Sequence, residues 1–162
     1  MESLSPQDRR LLRNALGCFA TGVTIITACG PEGNLGFTAN SFNSVSLDPP
    51  LVLFSLGRQA TSLPGFQTAT HFAINVLRED QIELSNRFAK PNVDKWNGVD
   101  FITWKSGCPI LKGTLASFEC ERHAMYDGGD HVIFVGEVIH MHADLEGRPL
   151  LYFRGGYAGL GG

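Results

Sequence analysis

A mainly β domain, a closed or split antiparallel barrel with three short helices, is what this 162-residue sequence predicts. Two observations carry that prediction. Short β-branched and aromatic runs recur along the chain, each bounded by Gly, Pro, Asn or Asp clusters. One stretch, Leu115 to Arg122, alternates cleanly, with Ala116, Phe118 and Cys120 on one face and Ser117, Glu119 and Glu121 on the other. The length fits one domain, residues 1–162, able to bury roughly 70% of its unfolded surface without staples. No repeat, low-complexity linker or internal boundary divides it.

The elements follow in order. Ser5-Pro6-Gln7-Asp8 starts a helix, with Ser as N-cap, Pro at the first helical position and Asp at the third. Leu12, Leu16 and Phe19 then recur at helical spacing, which makes the helix amphipathic. The uncharged run from Asn14 to Pro31 fails as a membrane span, because Gly17, Gly22, Gly30 and three threonines interrupt it. The helix start also fits better than a signal peptide, so a cytoplasmic protein is expected.

Val23 to Thr27 is a β-branched strand, the cluster 30–34 is a turn, and Leu35 onward returns as its hairpin partner. Ser44 to Leu47 leads into the rigid elbow Asp48-Pro49-Pro50. Leu51 to Leu56 is a continuous apolar run, expected to be covered on both faces. Thr61-Ser62-Leu63-Pro64 reads as a hydroxyl-capped helix start, and His71 to Leu77 as a strand. Asp80 and Glu83 form a capping box for a helix carrying Leu84 and Phe88. A polar loop, Pro91 to Gly98, is anchored by Trp96. Asp127 to Asp130 is a turn, His131 to His142 a long strand, and Leu150 to Phe153 a last strand after Gly147-Arg148-Pro149. The glycines from Gly155 to Gly162 read as a flexible tail, with a core of about 12–157.

Lys and Arg number 13 against 16 Asp and Glu, for a net charge of -3, so no basic stripe is available and nucleic acid is not an expected partner. Charged residues make up only 18% against a typical share of about 25%, which means either a generous core or, the favoured reading, surface covered by a second subunit. Cys18, Cys29, Cys108 and Cys120 show no metal or redox spacing and read as buried small hydrophobes in a reducing compartment.

Rossmann, P-loop and nucleophile-elbow signatures are all missing. His140, His142 and Asp144 share a strand face, but a solvated strand end accounts for them better than a metal site. Three segments are more informative. Gly36-Phe37-Thr38-Ala39-Asn40-Ser41-Phe42 and the following Asn43-Ser44 are rich in small polar side chains without a charge. They suit a flat polar ligand, or else a bulged edge strand. Arg58, followed by Ala60, Thr61 and Ser62 at a helix entry, reads as an anion site with Arg87 adding a second charge, or else as surface salt bridging. His131, after Asp127-Gly128-Gly129-Asp130, has a carboxylate beside it to orient the ring, or else caps a turn.

The same segments carry a family likeness: FATGVTIIT (19–27), GFTANSFNSVSLDPPLV (36–52), FAINVL (72–77), RFA (87–89), DGGDH (127–131) and RPLLYFRGGY (148–157). In this ordered set the chain resembles the flavin reductase component of two-component flavin-dependent monooxygenases, FMN-binding split-barrel proteins. The resemblance implies a six-stranded antiparallel split barrel of Greek-key type with short peripheral helices, assembled as a homodimer. It also implies reduction of FMN or FAD by NADH or NADPH, and a partner monooxygenase that takes the reduced flavin. By position, Gly36 to Phe42 and Ser55 would line the flavin. Arg58, Ser62 and Arg87 would lie on its phosphate side, with Ala60 and Thr61 at the helix entry and Phe88 also among the cofactor-binding residues. His131 would meet the nicotinamide or flavin edge, and Tyr157 would close over the nucleotide.

Such chemistry needs two stacked rings and no nucleophile, in keeping with the lack of a triad; no metal is expected. Two other readings stand beside it: a split-barrel flavoprotein that retains its flavin for another substrate, and a flavin-binding sensor or carrier.

Overall fold

The computed structural model describes residues 3–91 and 93–161. In chain order the elements are α1 (Pro6–Leu16), β1 (Thr21–Gly22), β2 (Thr24–Gly30), β3 (Gly33–Ala39), β4 (Asn43–Leu47), β5 (Pro50–Gly57), α2 (Leu63–Thr68), β6 (His71–Val76), α3 (Ile82–Ala89), β7 (Phe101–Thr103), β8 (Pro109–Leu111), β9 (Ala116–Gly128), β10 (His131–Ala143), β11 (Leu151–Phe153) and β12 (Gly156–Ala158). The main sheet is antiparallel, in the order β3-β2-β6-β9-β10-β5-β4. Two small sheets flank it, β1-β11-β12 and β7-β8.

The mainly β, antiparallel expectation holds, but the strand count and the closure differ. The main sheet has seven strands, and its edges, β3 and β4, are not paired with each other. Residues 40–42 join these edges, so at most about 15 Å of chain separates them. That short link curls the sheet around one core without a closing ladder.

Inside the curl, Phe54 stacks on Phe134 with ring centroids 4.9 Å apart and meets Phe72 edge-on at 4.8 Å. Ile26, Ile74 and Phe66 belong to the same buried cluster. The run 51–56 is not covered on both faces: Val52, Phe54 and Leu56 are buried, while Leu51, Leu53 and Ser55 are only half-buried. A curled sheet has one inside, and none of the described helices packs extensively on β5. On the outside of β2 and β6, Asn75 donates to the Ile25 carbonyl at 3.0 Å and accepts from the Leu111 N–H and the Ser117 hydroxyl, each at 3.0 Å. This buried amide pins the β7–β8 hairpin to the sheet.

Helix α1 begins as its sequence dictates: the Ser5 hydroxyl accepts the Asp8 N–H at 3.1 Å. Its apolar side has no partner among the described residues, however, leaving Leu11 and Leu16 66% exposed and Phe19 beyond it 78%. The other two caps differ from expectation. Ser62 stands at the N-cap of α2, but its hydroxyl makes no capping bond. The N-cap of α3 is Gln81, not Asp80, and Gln81 accepts the Arg78 N–H at 2.9 Å, so the Asp80–Glu83 box does not form.

Two further expectations are corrected. Cys108 and Cys120 are buried, but Cys18 and Cys29 are exposed. Gly155 and Gly156 are not a loose tail: Gly155, at φ 77°, turns β11 into β12, a conformation that Gly adopts without strain. The Arg148 guanidinium then holds the Leu160 carbonyl. Gly162 lies outside the described residues. No described helix is long and apolar enough to cross a membrane.

Candidate functional site

The segment 36–42 divides its side chains between core and surface. A Cβ on Gly36 would lie 2.6 Å from the Phe88 ring, so this backbone packs directly on a buried aromatic. Phe88 in turn meets Trp96 edge-on at 5.0 Å. Phe37 packs on Phe54 and Phe66, and Phe42 stacks on Phe118 at 5.9 Å. Phe37 and Phe88 therefore serve the core. Thr38, Ala39 and Asn40 face a cavity of about 220 Å³, closed by Ser85, Ala89 and Tyr157.

A hydroxyl chain lines that cavity. Thr38 donates to the Ser85 carbonyl at 2.6 Å, the Ser85 hydroxyl pairs with the Tyr157 hydroxyl at 2.7 Å, and Tyr157 donates to Asn86 Oδ1 at 3.0 Å. With Tyr157 donating onward, Ser85 is the donor to Tyr157. The C-terminal hairpin is thus tied to α3, and Tyr157 is pinned at the cavity wall.

Beyond Asn40 the site continues along β5. Ser41 is hydrogen-bonded to the backbone of Ser55. Ser55 and Gly57 lie on the outer face of β5, opposite Ile133 and His131 of β10. Small residues at 55 and 57 leave this face flat and open. The His131 ring sits over Gly57, where a Cβ would lie 3.8 Å from Nε2. Its Nδ1 is 2.6 Å from the Asp130 carboxylate, and that contact holds the Asp130 carboxyl below the usual carboxylate range.

The two arginines lie at opposite ends of this strip. Arg58 pairs with Asp127 and donates through Nε to the Gly129 carbonyl at 2.8 Å. Arg87 stands two residues from Ser85, about 200° around α3, and donates to the Asn97 carbonyl at 2.6 Å. Thr61 is exposed, while Ala60 and Ser62 are half-buried at the entry to α2. The strip 38–41, 55–57 and 131 is therefore one surface, and the arginines do not converge on it.

Sequence reading missed Ser85, Asn86 and Tyr152, and also Lys95, whose ammonium donates to the Gly36 and Phe88 carbonyls at 3.2 Å and whose burial lowers its pKa. The spacing of Ser85 and Ala89, small residues four apart on one helix face, is the signal that marks the cavity side of α3. His140 is taken up by Trp104, edge-on at 4.4 Å, and Asp144 by Arg78 at 2.6 Å. Among the described residues no cluster of three or more His, Cys, Asp or Glu could hold a metal ion.

With this geometry in place, the comparison with known proteins is direct. The family model described as "Flavin reductase like domain" matches residues 16–161. The chain belongs to that family. It is 50% identical over 151 residues to the FMN reductase (NADH) SmoA of Agrobacterium fabrum, covering 93% of this chain and 86% of that protein. It is 40% identical over 153 residues to the flavin-dependent monooxygenase reductase subunit HsaB of Rhodococcus jostii, covering 94% and 78%. Some relatives are longer: the chain spans 48% of one from Rhizobium meliloti to which it is 47% identical. Among solved structures, the NADH:FAD oxidoreductase SgcE6 of Streptomyces globisporus, in complex with NAD and FAD fragments, superposes with a TM-score of 0.89 at 40% identity, covering 98% of this chain and 96% of that one.

The donor set of this flavin reductase like chain suits a flavin. Its hydroxyls and amides are neutral, and as an edge strand β3 turns every second N–H and C=O away from the ladder. Both properties match the alternating donors and acceptors of a flat, uncharged ring system.

Proposed function

We propose that the chain is an NAD(P)H-dependent flavin reductase that reduces FMN or FAD and passes the reduced flavin to a partner monooxygenase. The observation that carries this reading is the continuous strip from Thr38 through Ser41 and Ser55 to His131: neutral polar groups at one end, a flat face in the middle, a carboxylate-oriented imidazole at the other. Its family relatives named as FMN reductase and as a monooxygenase reductase subunit support the same reading.

Residues 38–42 and Ser55 would hold the flavin through edge-strand backbone, the Asn40 amide and the Ser55 hydroxyl, with Tyr157 at the cavity wall. Thr38 and Ser41, whose O–H groups go to the Ser85 and Ser55 carbonyls, offer only lone pairs. The two nucleotides supply the hydride chemistry themselves. The chain's share is to place and shield them. His131, fixed by Asp130 through Nδ1, presents Nε2 to the nicotinamide side. Contacts that are neutral and few suit a flavin that has to leave after reduction.

The same reading makes the protein a cytoplasmic homodimer. The exposed apolar side of α1 supports a partner copy, as do Leu47, Met141 and Leu145 on the surface near β4 and the end of β10. The cavity at Thr38, about 220 Å³, is also smaller than the roughly 300 Å³ at which small-molecule pockets begin, so a single copy encloses only part of a flavin.

The deciding experiment follows NADH and NADPH oxidation at 340 nm with and without FMN, FAD or riboflavin. Turnover that requires added flavin is expected, and His131→Ala should raise the KM for the nicotinamide nucleotide. Flavin binding without turnover, in every combination, would refute the reductase reading. Sedimentation at micromolar concentration tests the dimer, which Leu16→Glu should weaken.

A further inference from the structure

We propose that Arg58 is a positioning residue for His131, acting as a staple on the turn that carries the histidine and not as a ligand of the flavin phosphate. The inference deepens the proposed function, resting on it for the role of His131 toward the nicotinamide.

Three bonds converge from one residue on one turn. The Arg58 backbone N–H donates to the Asp130 carbonyl at 2.9 Å, its Nε to the Gly129 carbonyl at 2.8 Å, and its guanidinium to the Asp127 carboxylate. The turn needs such support. Its centre is Gly128-Gly129, with Gly129 at φ 76°, and two adjacent glycines resist ordering more than any other pair. Asp127, Asp130 and His131 are all exposed there, so no core packing fixes them.

The chain of contacts then runs one way. Arg58 fixes Gly129 and Asp127, the turn fixes Asp130, and Asp130 holds His131 by Nδ1, which leaves Nε2 aimed across Gly57. Because the Arg58–Asp127 pair is exposed, it adds little to global stability. Its effect is local order at the histidine. A planar guanidinium bridges a carbonyl and a carboxylate at once, which the point charge of lysine does not do.

Arg58→Ala, Arg58→Lys and Asp127→Asn test the assignment together. All three should raise the KM for NADH roughly fivefold or more. The flavin dissociation constant, read by fluorescence quenching without NADH, should stay within about twofold, as should the FMN-to-riboflavin affinity ratio. In Arg58→Ala and Asp127→Asn the His131 imidazole resonances should shift or broaden in NMR spectra.

A loss of FMN preference over riboflavin in Arg58→Ala, restored by Arg58→Lys while Asp127→Asn behaves as wild type, would make Arg58 a phosphate ligand and overturn the proposal. An unchanged KM for NADH in Arg58→Ala, or unmoved His131 resonances, would overturn it too. If the wild-type protein reduces no flavin at all, the functional reading fails by itself, and the NMR comparison still decides the staple.

Discussion

The Ser41 hydroxyl accepts the Ser55 backbone N–H at 2.9 Å and donates to the Ser55 carbonyl at 3.3 Å, so one side chain stands in for a missing ladder between the sheet's edge link and β5. The contact does two jobs at once. It completes the curl of the main sheet, and it sets the polar segment 38–41 in line with the open face of β5.

Ser41→Ala should therefore cost about 1–3 kcal/mol, since it leaves a half-buried N–H unpaired. Flavin binding should weaken along with it. Thermal unfolding and a fluorescence-quenching titration give both readouts. A variant that keeps its melting temperature and its flavin affinity would show that the link 40–42 is held by other contacts.

Tyr157→Phe removes the hydroxyl between Ser85 and Asn86 and leaves the fully buried Ser85 hydroxyl without that partner. The expected cost is about 1 kcal/mol, or roughly 2–4 °C in Tm. Amide exchange over residues 151–158 should speed up. Unaltered exchange in that hairpin would mean that the tie to α3 is not what holds it down.

Gly36→Ala would place a methyl 2.6 Å from the Phe88 ring, which is boxed in by Trp96 and the core. Overpacking of this kind costs typically about 1–3 kcal/mol. A calorimetric scan showing no loss of Tm would mean that Phe88 moves freely, contrary to its burial.

Native protein treated with iodoacetamide at about pH 8 should take up two groups, at Cys18 and Cys29, and four after denaturation. Burial raises the Cys108 thiol and pushes Cys120 up to about 12, so neither supplies a thiolate near neutrality. Mass spectrometry settles the count. A third adduct on folded protein would contradict the packing around Cys108 and Cys120.

The Asp144 carboxyl is held below the usual carboxylate range, first by the Glu146 N–H and then by Arg78. A depressed folded pKa lends stability that is complete above about pH 4 and is lost as pH falls through the lower folded value. Asp144→Asn should thus melt below wild type at neutral pH, with the two curves converging as pH falls through the lowered folded pKa. A gap that stayed constant across that range would assign the loss to something other than the carboxylate's charge.

What the sequence determined by itself was local. The Ser5-Pro6 helix start, the β-branched run of β2 and the glycine turn before His131 each follow from chemistry within a few residues, and each is found in the structure. β9 is a strand as its alternation predicts, but its polar residues Ser117 and Glu119 are buried as well. The uncharged polar character of 38–41 was equally legible, because Thr, Ala, Asn and Ser carry no charge wherever the segment lies. Only the tertiary structure decided which partners those groups would take. Ser85 of α3 meets Tyr157 of β12 across 72 residues, outside the main sheet, and Arg58 meets Asp127 across 69, set by the register of β5, β10 and β9. The α3 box fails for a local reason, since Gln81 holds the N-cap position and its side chain accepts the Arg78 N–H within the turn that opens the helix. A side chain's propensity is a property of its neighbours in sequence; the bond it makes goes to whichever donor or acceptor the fold brings nearest, and that is fixed only when the whole sheet has found its register.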